Sequence, residues 1–398
     1  MAANGSESPR GEKEYLSSNE VVELLGISKS TLYAYVSRGL IHSEPVPDSP
    51  RTRRYRAADV ERLLQRQRGR SDDEAVDQPD NAEEREAGAT HPRGRQYSPY
   101  RGHDPADLAK SNSFESVMAL LWTGDSAAEL PPLDSDTVRR RAQLTRRAAE
   151  VIEPLDPPRR LLSLLPSLEQ VEPSAWDERV DTQTRMGRDI MQLGLFCIAG
   201  AEGHSGFART LQAYWAPGAA AVVGPIETAL ILAADVPNDP ATTALEAAIE
   251  AGAPLHSAVT AGLATLLGPR SAGALHQIDT LIDEVGRPDM AYERMRKRLE
   301  RGESLPGFVR RDATDETSAE MLLNRLQQAG CGADSVELSR KMIDAAHRLQ
   351  GSAPTIPFAV SILSRAMGRQ AGTGVAMIVL ARLAGLIGIV IQRRTAGR

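Results

Sequence analysis

The sequence predicts an all-α protein in which several helices pack closely around a large core, with a smaller domain preceding them. The chain has 398 residues, enough for two or three domains, and only 4% of them are aromatic. In the stretch 253–276, Val259 and Leu263 belong to an apolar helical pattern with alanine and glycine between its members. The pattern breaks at Gly268-Pro269 and then restarts. Small residues at this density let helices approach closely, which favours helix packing over sheets.

Composition also narrows the class of protein and its compartment. The formal net charge is −6, which argues against a chain that is basic throughout. The two cysteines, Cys197 and Cys331, argue against a disulfide framework and fit a reducing cytoplasm. The polar start of the chain lacks the apolar segment of a secretory signal, and residues 1–13 are expected to be disordered. We therefore expect a cytoplasmic protein.

The longest apolar run, 372–391, predicts a buried helix of the core or of a dimer interface. The run is long enough to cross a membrane, but it contains Arg382, and a charged side chain within lipid is costly. We therefore expect no membrane association.

Residues 14–70 predict a compact helix-turn-helix domain. The segment Ser17–Glu20 has the spacing of a capping box and starts a first helix. Gly26-Ile27-Ser28 then gives a tight turn before a second helix over 29–38. An arginine-rich segment at 51–56 and a third helix follow. The whole pattern resembles the MerR-type and excisionase-type winged helix-turn-helix.

This resemblance implies that the second helix and the arginine-rich wing contact double-stranded DNA. Over 14–70 there are ten Lys/Arg and seven Asp/Glu, a local charge of +3 in an acidic protein. Cationic side chains bind nucleic acid by releasing counterions from its backbone. The alternative is a charged, solvated face that mediates protein contacts. The residues expected to contact DNA are Lys29, Ser30, Thr31, Tyr33, Arg38, Arg51, Arg53, Arg54 and Arg56.

Residues 71–94 predict a flexible acidic linker. From Ser71 to Glu86 there are eight acidic residues, one arginine and no apolar periodicity. Such a segment cannot bury enough apolar surface to fold. The larger domain is therefore expected to occupy 95–398.

The larger domain resembles the citrate synthase family. The resemblance rests on the segment Tyr100–Asp104 with the helix that follows it, on the stretch 253–276, and on the helical segments from Pro357 to Gly388. It implies multi-helical large and small domains and a dimer. It also implies a reaction that joins the methyl carbon of an acyl-CoA to the carbonyl of a 2-oxo acid. No tightly bound cofactor is expected, with acetyl-CoA or another acyl-CoA as substrate or ligand.

Most catalytic positions of the family hold other residue types here. In the family an aspartate removes the methyl proton, histidines stabilise the enolate and polarise the oxo acid, and arginines clamp its carboxylates. The family motif H-x-D-H-E-x-N matches 233–239, where only the aspartate stays in register. Apolar side chains and proline cannot transfer a proton, and a serine hydroxyl lacks the charge and reach of an imidazole. The positions that match the histidines and the catalytic aspartate hold Ala233, Val236, Ser271, Arg310 and Pro357.

A few positions keep or replace a functional group. Asp235 is the aspartate that stays in register, and Arg382 matches an arginine that binds the oxo acid. Asp315 is the candidate to replace the lost carboxylate, with Asp312 and Glu316 as alternatives, and a solvated loop face is the competing interpretation of all three. The candidates are therefore Ser271, Arg310 and Asp315 for catalysis, and Arg382, Arg311 and Asp235 for ligand binding.

None of the seven histidines falls on a catalytic position, and no cluster has the spacing of metal ligands. His256 and His276, at the two ends of the stretch described first, are expected to be core or surface residues. We therefore expect no metal site.

Three hypotheses for function follow. In the first, the chain is a catalytically degenerate DNA-binding regulator that senses a 2-oxo acid or an acyl-CoA, as a homodimer or with an intact citrate synthase paralogue. In the second, it is an active acyltransferase that condenses acetyl-CoA or another acyl-CoA with oxaloacetate or a related acid, alone or as half of such a heterodimer. In the third, it is a structural dimerisation partner without a ligand. The joint loss of several catalytic groups favours the first hypothesis.

Overall fold

A computed structural model gives the fold of the chain, which divides into two compact units with the boundary between residues 80 and 81. The predicted contacts Lys29, Ser30, Thr31, Tyr33 and Arg38, the linker at 71–94, and Arg311, Asp312, Asp315 and Glu316 lie outside the described residues. The structure describes residues 15–18, 21, 41–46, 49–57, 59–60, 99–152, 155–200, 206–236, 239–310, 318–368 and 372–396.

The smaller unit contains a three-stranded antiparallel sheet. Its strands are β1 (Tyr15–Ser17), β2 (Ser43–Val46) and β3 (Ser49–Arg56), in the spatial order β1-β3-β2. The arginine-rich segment predicted as the wing is therefore the central strand. Tyr55 on β3 is 1% exposed and points its ring into the unit, whereas its neighbour Arg56 is exposed. This alternation is the one expected of a strand with one buried face.

The larger unit consists of helices, fifteen in the part of the chain that the structure describes, with one two-stranded sheet. They are α1 (Pro105–Ser111), α2 (Phe114–Thr123), α3 (Ser135–Ile152), α4 (Pro157–Val171), α5 (Val180–Ala199), α6 (Phe207–Trp215), α7 (Val223–Leu232), α8 (Pro240–Glu250), α9 (Leu255–Leu266), α10 (Leu275–Val285), α11 (Ala291–Glu300), α12 (Ser318–Gln328), α13 (Ala333–Gln350), α14 (Ile356–Ala366) and α15 (Gly372–Ala396). The predicted all-α class is confirmed for this unit.

Local capping signals set the starts of several of these helices. Asp156 and Asp239 are the N-cap residues of α4 and α8, and each is followed by a proline at the first helical position. In both cases a carboxylate oxygen accepts a backbone N–H of the first turn, which would otherwise lack a partner. Proline is favoured there because it has no N–H to satisfy.

The apolar run near the C-terminus forms α15, which lies at the centre of the larger unit. It is the one described helix long and apolar enough to cross a membrane, and its most apolar window is fully buried within the protein. A helix that is apolar on all sides must be covered on all sides. Gly385 allows close approach, since a methyl group there would lie 2.1 Å from the carbonyl oxygen of Ala234. The prediction of a buried core helix is confirmed.

The stretch 253–276 folds as its pattern predicted. Helix α9 ends at Leu266, the chain turns through Gly268-Pro269, and a 3-10 turn at Ala272–Ala274 leads into α10. Gly262 lets α9 lie against α8, because a methyl group at this position would approach the Ala241 carbonyl oxygen to 3.2 Å. The break before α10 places Ser271 in a loop between two helices.

A small antiparallel sheet lies beside α14. It pairs β4 (Phe308–Arg310) with β5 (Ser352–Pro354), so that Arg310 lies opposite Ser352. Gly307 precedes β4 with a φ of 87°, a conformation that favours glycine, and its carbonyl oxygen accepts the N–H of Thr355. The rings of Phe308 and Phe358 pack with centroids 4.6 Å apart. These contacts fix the start of α14 next to β4.

Candidate functional site

Arg382, on the central helix α15, lies at the centre of a buried polar cluster. Its side chain is 1% exposed. Its Nη1 donates to the carbonyl oxygen of Ala234 at 3.0 Å, a contact that the absence of a side chain at Gly385 permits. Its Nη2 donates to Asp239 Oδ2 at 3.0 Å and to Thr242 Oγ1 at 3.2 Å. The guanidinium group is therefore held from both sides by the end of α7 and the start of α8.

Asp235, the second predicted ligand-binding residue of this cluster, mainly supports the backbone. Its Oδ1 lies 4.0 Å from Arg382 Nη1, and its Oδ2 accepts the N–H of Tyr100 at 2.9 Å. The Asp235 N–H donates in turn to the Tyr100 hydroxyl oxygen at 3.1 Å, and that hydroxyl donates to the Ile231 carbonyl oxygen at 2.5 Å. Burial and the Asp235 charge raise the pKa of Tyr100, so the phenol stays protonated and can donate.

The segment held by Asp235 has an unusual backbone. Tyr100 and Arg101 both have positive φ angles, 48° and 54°. Such conformations cost non-glycine residues on the order of 1–3 kcal/mol each and persist where surrounding contacts impose them. The Arg101 side chain supplies further contacts by donating to the Leu121 carbonyl oxygen at 3.1 and 3.2 Å. Asp235 thus helps to hold a strained turn that precedes α1.

Asp239 neutralises Arg382 within the chain. This residue was not among the predicted site residues, although it fills the last position of the motif at 233–239. Its side chain is 9% exposed and ion-paired with Arg382, while Oδ1 caps α8 through the Ala241 N–H at 3.2 Å. One buried guanidinium therefore faces two carboxylates, those of Asp239 and Asp235. The sequence shows an aspartate before a proline, which is typical of a helix N-cap. It does not show that Asp239 pairs with Arg382 on α15.

Two of the predicted catalytic residues, Ser271 and Arg310, lie in the described part of the chain. Ser271 is half-buried in the loop before α10, where its N–H donates to the Gly268 carbonyl oxygen at 3.1 Å. Arg310 is exposed at the end of β4, and Pro357 lies in the first turn of α14. Among the described residues, no hydrogen bond or ion pair joins Ser271 or Arg310 to Arg382. Of the candidates that the structure describes, it therefore brings together Arg382 and Asp235, and it joins neither Ser271 nor Arg310 to them by a hydrogen bond or ion pair.

Two apolar positions of the family motif bracket Asp235. Ala233 is 3% exposed and Val236 is 40% exposed. Neither side chain can donate or accept a hydrogen bond. These two positions therefore add no polar side-chain group beside Asp235, whose Oδ2 accepts the N–H of Tyr100.

A second set of buried charges joins α3, α4 and α5. Arg141 donates to Asp189 at 2.5 Å with both side chains at most 4% exposed, and Arg185 donates to Glu172 at 2.8 Å. Burial raises the pKa of Asp189 to about 6, although Arg141 acts in the opposite direction. No residue of α5 was predicted from the sequence to be functional. Charged residues among its buried apolar positions were the available signal for this network.

The two histidines of the stretch 253–276 are a core residue and a surface residue, as expected. His256 is 1% exposed, and its Nδ1 has no hydrogen-bond partner among the described residues. Burial lowers its pKa to about 4, with Glu172 opposing and Arg185 reinforcing the shift, so the ring is neutral at pH 7. His276 is exposed and lines a cavity of about 590 Å³ together with Tyr214 and Trp215.

In the smaller unit, the arginines of the predicted wing differ in their contacts and in their exposure. Arg54 pairs with Glu44 at 2.6 Å and lies 4.2 Å from the centroid of the Tyr15 ring. The exposed Arg53 donates to Ser43 Oγ at 2.8 Å, and the Arg56 side chain is exposed. Arg51 lies on the same strand. Arg53 and Arg56 therefore have the more accessible cationic groups, whereas Arg54 helps to hold the sheet together.

Comparison with models of protein families identifies a known domain in each of the two units. The model of the citrate synthase C-terminal domain matches residues 86–398, and that of a helix-turn-helix domain matches 15–68. The chain belongs to the citrate synthase family. Its N-terminal part is a helix-turn-helix domain, as the resemblance implied.

Named relatives and solved structures agree with this assignment. The chain is 26% identical over 320 residues to 2-methylcitrate synthase of Mycobacterium tuberculosis strains Erdman and H37Rv, covering 75% of this chain and 81% of the relative. Citrate synthase from Thermotoga maritima shares the fold with a TM-score of 0.55 and 19% identity, covering 75% of this chain and 85% of that one. Citrate synthase from Pyrobaculum aerophilum gives a TM-score of 0.59 and 18% identity, covering 75% and 83%.

A third similar structure is described as a complex with ligands. Citrate synthase from Thermoplasma acidophilum, described as a ternary complex with carboxymethyl coenzyme A and oxaloacetate, gives a TM-score of 0.58. Its sequence is 19% identical, with 73% of this chain and 84% of that one covered. At this identity the likeness shows the fold of the larger unit.

Proposed function

We propose that this citrate synthase family member is a catalytically inactive, DNA-binding regulator. The observation that carries the proposal is the internal neutralisation of Arg382 by Asp239 at 3.0 Å. An arginine that is 1% exposed and already paired has no free charge with which to clamp a 2-oxo acid. The residue kept from the family site is therefore used for structure.

The replaced proton-handling positions support the same proposal. Removal of one preorganised donor typically costs about 3 kcal/mol of transition-state stabilisation. Here Ala233, Val236 and Pro357 hold groups that transfer no proton, and Ser271 and Arg310 replace imidazoles. Several such losses together leave no route for the family reaction through these positions.

The fusion of a helix-turn-helix domain to a citrate synthase domain supports the proposed regulatory role. A helix-turn-helix domain with an arginine-rich strand suits binding to double-stranded DNA, and the citrate synthase domain suits a dimer that presents two such domains. We assign the protein to the cytoplasm. Because Arg382 is already neutralised, an acyl-CoA is the first regulatory ligand to test, ahead of a 2-oxo acid.

The decisive experiment measures release of the coenzyme A thiol. Purified full-length protein is incubated with acetyl-CoA or propionyl-CoA and oxaloacetate, first alone and then mixed with an intact citrate synthase. We expect no release by the protein alone and no increase when it is added to the partner. Oxaloacetate-dependent release by the protein alone would establish the acyltransferase hypothesis instead. An increase only in the mixture would establish a catalytic heterodimer.

DNA binding is tested by the salt dependence of affinity for a duplex. We expect Arg53→Ala and Arg56→Ala each to weaken binding and to lower the slope of log affinity against log salt by about 1 if the side chain contacts a phosphate. Arg296→Ala is the matched control, since that exposed arginine lies on α11 in a salt bridge with Glu300. Unchanged binding in both wing variants would favour a protein-contact role for the small domain.

A further inference from the structure

A cavity of about 590 Å³ lies in the larger unit, and Ala234, Asp239 and Thr242, which hold Arg382, do not line it. Four segments that are distant in the sequence meet there: the start of α4, the end of α6, the loop that joins α9 to α10, and the start of α15. Cavities that hold small organic molecules in proteins have volumes of roughly 300–1,000 Å³. The cavity is therefore large enough to bind such a molecule.

Much of the cavity lining is apolar, and two aromatic side chains form part of it. Trp215 is 5% exposed and Tyr214 is 52% exposed, and both lie at the end of α6. Leu267, at the end of α9, and Val375, on α15, add aliphatic surface. Aromatic rings pack favourably against other aromatic rings. We therefore expect the body of a ligand here to be a flat aromatic ring system.

The backbone around the cavity is fixed before any ligand binds. Pro157 and Pro158 occupy the first turn of α4, and proline has a locked φ angle. The carbonyl oxygen of Gly268 accepts the N–H of Ser271 at 3.1 Å and that of Gly273 at 3.2 Å, which closes the loop between α9 and α10. Binding to a preformed cavity avoids the free-energy cost of ordering its walls.

The polar groups at the cavity provide more free donors than free acceptors. Asp156 has both carboxylate oxygens engaged, Oδ1 by the Arg159 N–H at 3.1 Å and Oδ2 by Arg159 Nη1 at 2.9 Å. The Arg159 side chain has five N–H donors, and this contact uses one of them. His276 lines the same cavity, and its ring can donate in either protonation state. Gly372 and Thr373 add N–H groups of the first turn of α15, which have no acceptor within that helix. A carboxylate on the ligand would accept from such donors.

We propose that this cavity binds a small aromatic carboxylate, with its ring against Trp215 and Tyr214 and its carboxylate at Arg159 and His276. The proposal goes beyond the proposed function and does not depend on it. The cavity is lined neither by the Arg382 cluster nor by the described positions that match the catalytic groups of the family. The bound ligand contacts both the loop that precedes α10 and the start of α15, so it links two segments that are far apart in the chain.

The test titrates the full-length protein with 2-naphthoate in an isothermal calorimeter, and with 2-naphthamide as an uncharged probe of the same shape. We expect 2-naphthoate to bind saturably at one site per chain. Its affinity should be about fivefold higher than that of the amide, because only the acid forms an ion pair with Arg159. Absence of saturable binding, or equal affinity for the two probes, would overturn the proposal.

Two variants with matched controls locate the carboxylate. We expect Arg159→Gln and His276→Gln each to lower the affinity for 2-naphthoate about threefold and to leave that for the amide unchanged. Arg139→Gln is the control for the first, because Arg139 also pairs with an aspartate three residues earlier, Asp136, and its side chain is 67% exposed. His347→Gln, at an exposed site on α13, is the control for the second. Equal losses in the variants and their controls would contradict the assignment.

Thr373→Phe tests whether the probes bind inside the cavity. Thr373 is half-buried at the start of α15, and a phenylalanine there fills part of the cavity with a ring of the chain itself. We expect neither probe to bind this variant, whose folding is checked by its thermal unfolding midpoint. Should it not fold, Tyr214→Leu replaces it and should weaken both probes about threefold through the loss of ring contacts. Wild-type affinity in the folded variant would place the binding elsewhere and overturn the proposal.

Discussion

Two corners of the larger unit differ in how they hold a predicted site residue. Arg382, which was predicted to bind an oxo acid, is buried and neutralised by Asp239. At β4, Gly307 has a positive φ and Phe308 packs on Phe358, while Arg310, which was predicted to be catalytic, is exposed. The first residue is therefore fixed within the core, whereas the second lies at the surface.

The difference follows from the burial of the two side chains. A buried charge cannot be removed alone, because its partners would be left unpaired in a medium of low dielectric constant. An exposed side chain such as Arg310 has no such constraint. Its position is therefore free to change, while Arg382 is held by the helices around it.

The largest effect is expected from Arg382→Met. This change leaves Asp239 and Asp235 buried without their cation, and breaking a buried pair in this way typically costs 3–5 kcal/mol. We expect a loss of about 4 kcal/mol in the free energy of unfolding, measured by urea denaturation. The double variant with Asp239→Leu should recover much of the loss, and a double variant as unstable as the single one would contradict the internal pairing.

The next effect is expected from Phe358→Ala, which tests the scaffold at the second corner. Phe358 is fully buried against the Phe308 ring. Truncation of a buried phenylalanine leaves a cavity and typically costs 3–5 kcal/mol. We expect about 3 kcal/mol in the same denaturation experiment. A loss below about 1 kcal/mol would show that the small sheet does not depend on this packing.

A third prediction concerns how the protonation of a buried histidine, His256, changes the stability of the protein with pH. His256 has a pKa of about 4 in the folded protein against 6.5 as its ordinary value. The unfolded chain therefore binds more protons between pH 6.5 and 4, so this group removes up to ~3 kcal/mol of stability as the pH falls through that window. Asp189 acts in the opposite direction, because its raised pKa of about 6 makes the folded protein take up a proton first.

The measurement is the urea midpoint of His256→Gln and wild type from pH 7 to pH 4. We expect the variant to lose less stability on acidification than the wild type. His276→Gln, at an exposed site on α10, is the matched control and should follow the wild type. Parallel curves for all three proteins would show that His256 does not titrate in this range.

The smallest effect is expected from Arg310→Ala. The side chain is exposed at the end of β4, and surface substitutions away from special features change stability by about 0.5 kcal/mol or less. We expect a change of that size in urea denaturation and no change in thiol release. A large loss of stability would mean that Arg310 is bound into the fold as Arg382 is.

Much of the fold followed from local sequence signals. The apolar spacing around Val259, the Gly268-Pro269 break and the apolar run at 372–391 are all local patterns of the sequence. Each predicted an element or a boundary that the structure contains. The resemblance of the chain to citrate synthases then supplied the order of the elements.

The chemistry of the site depended on contacts that no local signal carries. Asp239 is fully explained in the sequence as a helix cap before a proline, and only the fold brings Arg382 to it. Asp235 was predicted to bind a ligand because it matched a motif, yet it accepts the N–H of Tyr100 from 135 residues away. Long-range pairing of polar groups is decided by packing, which the apolar pattern alone does not specify.

The strained turn at Tyr100 and Arg101 also has a consequence for the order of folding. Its two positive φ angles are maintained by Asp235, which follows the end of α7, and by the carbonyl oxygen of Leu121 on α2. The turn can therefore close only after both helices are in place, and it should be among the last segments to form. For the same reason it should be among the first to open, so this N-terminal edge of the larger unit is where a protease or hydrogen exchange would enter a protein whose centre stays closed.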